Sequence, residues 1–296
     1  AIMATRTLEN PRDRVFASIL TPFVSCGAKL PVYTFLGMLF FPKRADLVIF
    51  GLYMFGIVMA MLTGFMLKKT IFKSEQGNFV MELPPYHIPT FNGILLHTWH
   101  RLKDFILRAG KTILLVIVLI NILQIVQLPW GRNAKPTPVL EISGKIITPL
   151  LKPMGVKHDN WQASVALISG LFAKEAIVGT MQSLYQKTDN SDNNADKYTN
   201  NILSSFGSQA SAIAFLIFVL LYSPCAAALA MLFREHGMGW MLFAFAYLTA
   251  LAWMVATLVY QVLAFSSVSI YWILAIIGFF VLIYLNLRSI GRKHAI

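Results

Sequence analysis

Two cysteines and the residues around them hold the side chains best suited to chemistry. Cys26 lies in Thr21-Pro22-Phe23-Val24-Ser25-Cys26-Gly27-Ala28-Lys29-Leu30-Pro31-Val32-Tyr33, and Cys225 directly follows Ser223-Pro224. Each thiol adjoins residues that interrupt a helix. Proline removes a backbone donor and clashes with the carbonyl one turn back. Breaks at Pro22, Gly27, Pro31 and Pro224 therefore leave carbonyl oxygens without their helical partners. A thiolate is a soft donor. Beside freed carbonyls and the oxygens of Ser25, Ser223, Thr21 or Tyr33, it suits weak, transient coordination of a divalent transition metal such as Fe²⁺. The competing reading treats each Cys as a small buried hydrophobe.

Lys174-Glu175 is the next candidate, in the middle of the apolar block Trp161 to Tyr185. A charge at mid-membrane costs roughly 2.5–3.5 kcal/mol on insertion scales, so intramembrane ionisable groups point to function. Glu175 would serve as cation ligand or proton carrier on the pathway. The alternative is that the pair neutralises itself or caps a half-helix. Gly170, Ala173, Ala176 and Gly179 would line one helix face at i+3 spacing and admit a close neighbour. Lys29 would repel cations, pair with an acid, or snorkel to the surface. The six His are scattered (87, 97, 100, 158, 236 and 294) and read as interfacial or solvated. Met54, Met59, Met61 and Met66 read as lipid-facing or packing residues. Asn121, Gln124 and Gln127 read as interhelical hydrogen-bonding groups.

The elements that must position these groups are membrane-spanning helices. Of 296 residues 57% are hydrophobic and 13% charged, about half the charge of a soluble domain. Two Cys exclude a disulfide framework, and the 18 Gly show no collagen period. The net charge of +12 does not point to nucleic acid, because the basic residues sit between apolar blocks, as in loops beside anionic lipid. Spans of about 20 apolar residues are expected at Leu47 to Leu67, Trp240 to Phe265 and Val268 to Leu287, with a shorter one at Thr112 to Leu128. Three further blocks are interrupted: Val15 to Phe41, Trp161 to Tyr185 and Ala210 to Phe233. Non-helical backbone survives at bilayer depth only where protein buries it or water lines it. The sequence therefore predicts an all-α polytopic transmembrane bundle with broken or re-entrant helices.

The interrupted blocks echo one another. Cys26-Gly27-Ala28-Lys29-Leu30 and Cys225-Ala226-Ala227-Ala228-Leu229 share Cys-x-Ala-x-Leu. Upstream, Ala1-Ile2-Met3-Ala4-Thr5 parallels Ala176-Ile177-Val178-Gly179-Thr180. The two pairs fall into register once the polar stretch Gln186 to Gln209 is removed, and that stretch reads as a solvated, mobile insertion. Duplicated halves with broken helices in matching places point to a transporter site near the midplane. The expected organisation is a first repeat over 1–67, a basic connector over 68–111, a span and linker over 112–160, and a second repeat with C-terminal spans over 161–296, the insertion occupying 186–209. Within the connector, Ile94 to Leu107 suits an interfacial amphipathic helix. Arg288, Arg292 and Lys293 favour a cytoplasmic C-terminus. No signal peptide opens the chain, and its start in mid-pattern suggests the C-terminal portion of a longer protein.

No Gly-x-Ser-x-Gly, His-Glu-x-x-His or Gly-x-x-x-x-Gly-Lys-Ser/Thr occurs, so neither a catalytic set nor a GTP site is expected in these residues. Ala4-Thr5-Arg6-Thr7-Leu8-Glu9-Asn10-Pro11-Arg12-Asp13-Arg14 and the segment from Pro22 to Tyr33 resemble the first Gate region of the bacterial ferrous-iron transport protein B family. Phe172-Ala173-Lys174-Glu175-Ala176-Ile177-Val178-Gly179-Thr180 and Ser223-Pro224-Cys225-Ala226-Ala227 resemble its second. Leu83-Pro84-Pro85-Tyr86 with His97-Thr98-Trp99 resembles its connector. The resemblance implies a multi-pass permease of the bacterial inner membrane carrying Fe²⁺ as substrate. It also implies coupling to an upstream cytoplasmic G domain. It implies as partners membrane lipid, that G domain, small accessory iron-transport proteins and further copies of the chain, with no nucleic acid. The family often has Arg where Lys29 stands. Its Gate regions are also similar to those of nucleoside carriers, which leaves an organic substrate as one alternative and a non-transporting receptor or assembly subunit as another.

Overall fold

A computed structural model describes residues 2–72, 137–157, 159–187 and 195–264. It also describes 90–93, 95–96, 98–100, 102–103, 127–128 and the single positions 107, 118, 272, 274 and 278. The expected span Val268 to Leu287 and most of Thr112 to Leu128 lie outside the described residues, as do Asn121 and Gln124. So do His87, His97, His158 and His294. Of the connector helix, 91–93, 95–96, 98–100 and 102–103 are helical, with Leu95, Trp99 and Leu102 exposed.

The described fold is all-α apart from a two-residue antiparallel ladder that pairs β1 (Gln127–Leu128) with β2 (Thr137–Pro138). After a 3-10 turn at Ile2–Thr7, α1 runs Pro11–Leu20, α2 Leu30–Phe40 and α3 Ala45–Thr70. Then come α4 (Val139–Leu151), α5 (Trp161–Phe172), α6 (Ala176–Lys187), α7 (Ala195–Phe206), α8 (Gln209–Leu221) and α9 (Ala226–Ala264). Among the described residues, three segments are long and apolar enough to cross a bilayer: Pro11–Phe40, Ala45–Thr70 and Gln209–Ala264. The first and third contain the cysteine breaks. On α3, Met54, Met61, Leu62 and Phe65 are exposed, as lipid-facing residues should be, while Met59 and Met66 pack on the core.

Both cysteine breaks lead into the same succession of elements. From the first, the 11-residue α2 leads through a corner at 41–44 into the 26-residue α3. From the second, α9 runs helically over 226–236, turns at Gly237, and continues over 238–264. Gly237 holds φ 84°, the left-handed region that a side chain resists. Two helical lengths are thus matched across the pair, and each corner falls one short helix beyond a thiol.

Two expectations need correction. The polar stretch Gln186 to Gln209 is not simply a solvated excursion, since α7 fills 195–206. Ile202 and Phe206 are buried, and Phe206 meets Phe40 and Phe215 edge-on with ring centroids 5.5 and 5.2 Å apart. Ile202, Leu203 and Phe206 recur at helical spacing among Asn and Ser, which is enough to dock one face. The proposed small-residue face is also divided. Helix α5 stops at Phe172, Ala173 is extended (φ −143°, ψ 119°), and α6 begins afresh at Ala176. Gly170 still permits a close approach, because a Cβ there would stand 2.5 Å from the Tyr222 hydroxyl, whereas Gly179 meets nothing within 4 Å.

Candidate functional site

Three breaks converge on one region of the core. In the first, α1 tightens into a 3-10 turn at Thr21–Phe23, the chain extends through Val24 and Cys26, and a second 3-10 turn at Gly27–Lys29 leads into α2. Pro22 opens one turn and Pro31 stands in the first turn of α2, a position where the missing N–H costs nothing. Gly27 is not left-handed and serves no conformational need there. In the second break, Tyr222 is extended (φ −64°, ψ 170°), and no helix resumes until Ala226. The third separates α5 from α6 at 173–175.

Lysines, not acids, fill the vacated hydrogen-bonding positions. Lys29 is 4% exposed, and its Nζ donates to the carbonyls of Pro22 at 2.9 Å and Leu220 at 2.8 Å. It ties the first break to the C-terminal end of α8. Lys174 is 3% exposed; its Nζ donates to the Ser223 carbonyl at 2.9 Å and sits 3.2 Å above the Tyr222 ring. Tyr222 in turn stacks on Phe218, and its hydroxyl reaches the Leu167 carbonyl at 3.4 Å. Oxygen atoms at helix C-termini carry the negative end of the dipole, so an ammonium is the complement they favour.

This arrangement corrects the expectation for Lys29, which neither snorkels nor meets an acid. It also separates Lys174 from Glu175. The turn between α5 and α6 sends the lysine inward and leaves Glu175 exposed. Among the described residues an ion pair joins Arg6 to Glu235, at 2.6 Å on the surface.

The thiols occupy opposite environments. Cys26 is exposed and Cys225 half-buried. Next to Cys26, the hydroxyls of Ser25 and Tyr33 face one another, and neither has a well-formed hydrogen bond. Tyr33 is fully buried. Ser223 is satisfied within the break, its hydroxyl donating to the Pro224 carbonyl at 3.1 Å. No cluster of three His, Cys, Asp or Glu side chains stands close enough to hold a metal among the described residues. Any cation held here would therefore draw on backbone and hydroxyl oxygens besides sulfur.

Sequence reasoning missed Tyr222 and the Leu220 carbonyl. The aromatic residue two positions before Pro224 is a signal for the first, while a backbone oxygen leaves none for the second. It also missed the polar strap beside Gly237. There Ser18 bonds His236 at 2.8 Å and Thr5 at 3.1 Å, and Arg6 grips Glu235 through two bonds of 2.6 and 2.8 Å.

Broken helices with buried lysine caps, inside a bundle with lipid-length helices, define an all-α helical membrane protein with discontinuous helices. Comparison with known proteins narrows this further. The family described as ferrous iron transport protein B C terminus matches residues 49–101, and the one described as nucleoside recognition matches 106–239. The second match takes in Lys174, Glu175 and Cys225; the first break lies outside both. The Fe(2+) transporter FeoB of Salmonella typhimurium is 37% identical over 97% of this chain and 44% of its own length. That of Escherichia coli K12 is 37% identical over 94% of this chain and 42% of its own length. That of Shigella flexneri is 36% identical over 98% and 43%. The chain belongs to this ferrous-iron transport family and spans less than half the length of these relatives. No solved structure matches it.

Proposed function

We propose that this chain is the membrane permease portion of a ferrous-iron importer, passing Fe²⁺ at the paired breaks. The observation that carries the reading is the unpartnered pair of hydroxyls on Ser25 and Tyr33 beside the exposed thiol of Cys26. Buried polar atoms normally find partners, so two orphaned oxygens next to a soft sulfur donor mark a place prepared for a visiting ligand. A dehydrated divalent ion needs replacement donors that hold it weakly enough to let it go. Cys26 and Cys225 would supply sulfur, Ser25, Tyr33 and Ser223 oxygen, and the exposed Glu175 a carboxylate along the approach. Rocking of one break-containing half against the other would alternate access, driven by GTP-dependent events in an upstream G domain. In the cell this portion would sit as a multi-pass unit in the bacterial inner membrane, beside small accessory iron-transport proteins and further copies of itself.

Replacing Cys26 and Cys225 together by Ser in the full-length protein should lower ferrous uptake roughly tenfold or more, the factor set by ~1.4 kcal/mol of lost binding. Unchanged uptake would overturn the thiolate role. A second reading draws on the nucleoside-recognition match: an organic substrate would make uptake indifferent to competing divalent metals, which a competition series with Mn²⁺ and Co²⁺ decides.

A further inference from the structure

The cation path just proposed contains a contradiction that the geometry resolves. Two lysines, Lys29 and Lys174, lie buried with their ammonium groups on acceptors three residues apart, Leu220 and Ser223. Neither takes part in the ion pair recorded among the described residues. A buried charge without a counter-ion is costly. Helix ends can also be capped without charge, by a left-handed glycine or by tightening of the last turn. Simple capping therefore does not explain why two lysines stand here.

Their acceptors offer an explanation. All three are main-chain oxygens where a helix has been cut: Pro22 in the turn ending at Phe23, Leu220 in the last turn of α8, and Ser223 within the second break. Freed carbonyls at half-helix C-termini are what coordinates cations in discontinuous transporter helices. Here each is held at 2.8–2.9 Å by an ammonium, itself a cation on a flexible four-carbon stem. The Tyr222 ring, 3.2 Å beneath Lys174, adds a further cation-favouring face.

We propose that the carbonyl oxygens of Pro22, Leu220 and Ser223 form a divalent-cation site which the ammonium groups of Lys29 and Lys174 hold as tethered stand-ins for the ion. Entry of the ion requires both side chains to swing away, and their return expels it. Because Lys29 bonds both breaks at once, its departure also releases the first break from α8. The inference rests on the permease reading above and adds to it the backbone ligands and the groups that compete for them.

The test uses the unaltered full-length protein in proteoliposomes supplied with GTP under anaerobic conditions. Lysines are acetylated with acetic anhydride and read site by site by mass spectrometry, without metal, with Fe²⁺ kept reduced by ascorbate, and with Mg²⁺. The exposed Lys68 and Lys69 are the internal standard, and ⁵⁵Fe uptake is followed on the same vesicles. Fe²⁺ should raise acetylation of Lys29 and Lys174 about tenfold, as expected when a charge-assisted hydrogen bond is given up, with Lys68 and Lys69 unchanged. If iron enters the vesicles while both lysines stay protected, the stand-in role is wrong and the permease reading stands. If no iron enters, the permease reading falls and this inference falls with it. A Lys29→Met variant sharpens the result. A stand-in predicts tighter Fe²⁺ binding once the competitor is gone, whereas a plain staple predicts equal or weaker binding.

Discussion

The two cysteine breaks each lead into a short helix and then a long one but are finished differently. The second is closed. Ser223 and Pro224 are buried, Tyr222 is clamped between Phe218 and Lys174, and two lysines cap its carbonyls. The first is open. It spreads over two 3-10 turns, exposes Cys26, and leaves Ser25 and Tyr33 without partners. The second therefore has the character of an anchor, and the first keeps its polar atoms in reserve. While the lysines stay in place, stability should concentrate at the second break, and sensitivity to loss of a hydroxyl or thiol at the first.

The largest expected effect comes from Lys174→Met, which strips the Ser223 carbonyl of its donor. An orphaned buried acceptor costs about 1–3 kcal/mol, so thermal unfolding in detergent should shift down clearly. Gly170→Ala presses on the same anchor, since its Cβ would stand 2.4 Å from Ile177 and 2.5 Å from the Tyr222 hydroxyl. Overpacking of this kind costs about 1–3 kcal/mol, and Tyr222, held beneath Lys174, has little room to yield. Gly56→Ala tests the open break, where the added Cβ would come within 2.9 Å of the Phe23 carbonyl. Uptake should fall further than melting temperature in that variant, the reverse of Gly170→Ala. Tyr33→Phe removes a hydroxyl with no partner, so stability should hold within about 0.5 kcal/mol while ferrous uptake drops. Equal loss of stability at Tyr33 and at Lys174 would erase the distinction between the breaks. The smallest effect belongs to Arg6→Ala, whose surface pair with Glu235 is screened by salt. Its melting temperature should differ little from the parent at low ionic strength and not at all at high.

The breaks and the spans at Leu47 to Leu67 and Trp240 to Phe265 were legible because their signals are local. Prolines at 22 and 224 mark where helices stop and Pro31 where one starts, and the unbroken apolar run from Leu47 to Leu67 reappears as α3 with a few residues added at each end. Helix α7 was hidden by composition, since its Asn and Ser residues mask a face carried by Ile202 and Phe206. The partners inside the site were hidden for a different reason. Lys29 and Lys174 announce a charge in the core, yet their acceptors are peptide oxygens that every residue possesses. Only the packing of α8 against the first break singles out Leu220.

The bond between Lys29 and Leu220 joins positions 191 residues apart. During synthesis, Lys29 enters the bilayer long before its acceptor has left the ribosome. Until α8 arrives, the ammonium can reach only the Pro22 oxygen nearby, and the nascent first half carries an incompletely neutralised charge among lipid tails. Contacts of such sequence separation form late. Chains cut short before residue 220 would retain that defect, giving a membrane quality-control protease a means of telling unfinished copies from complete ones.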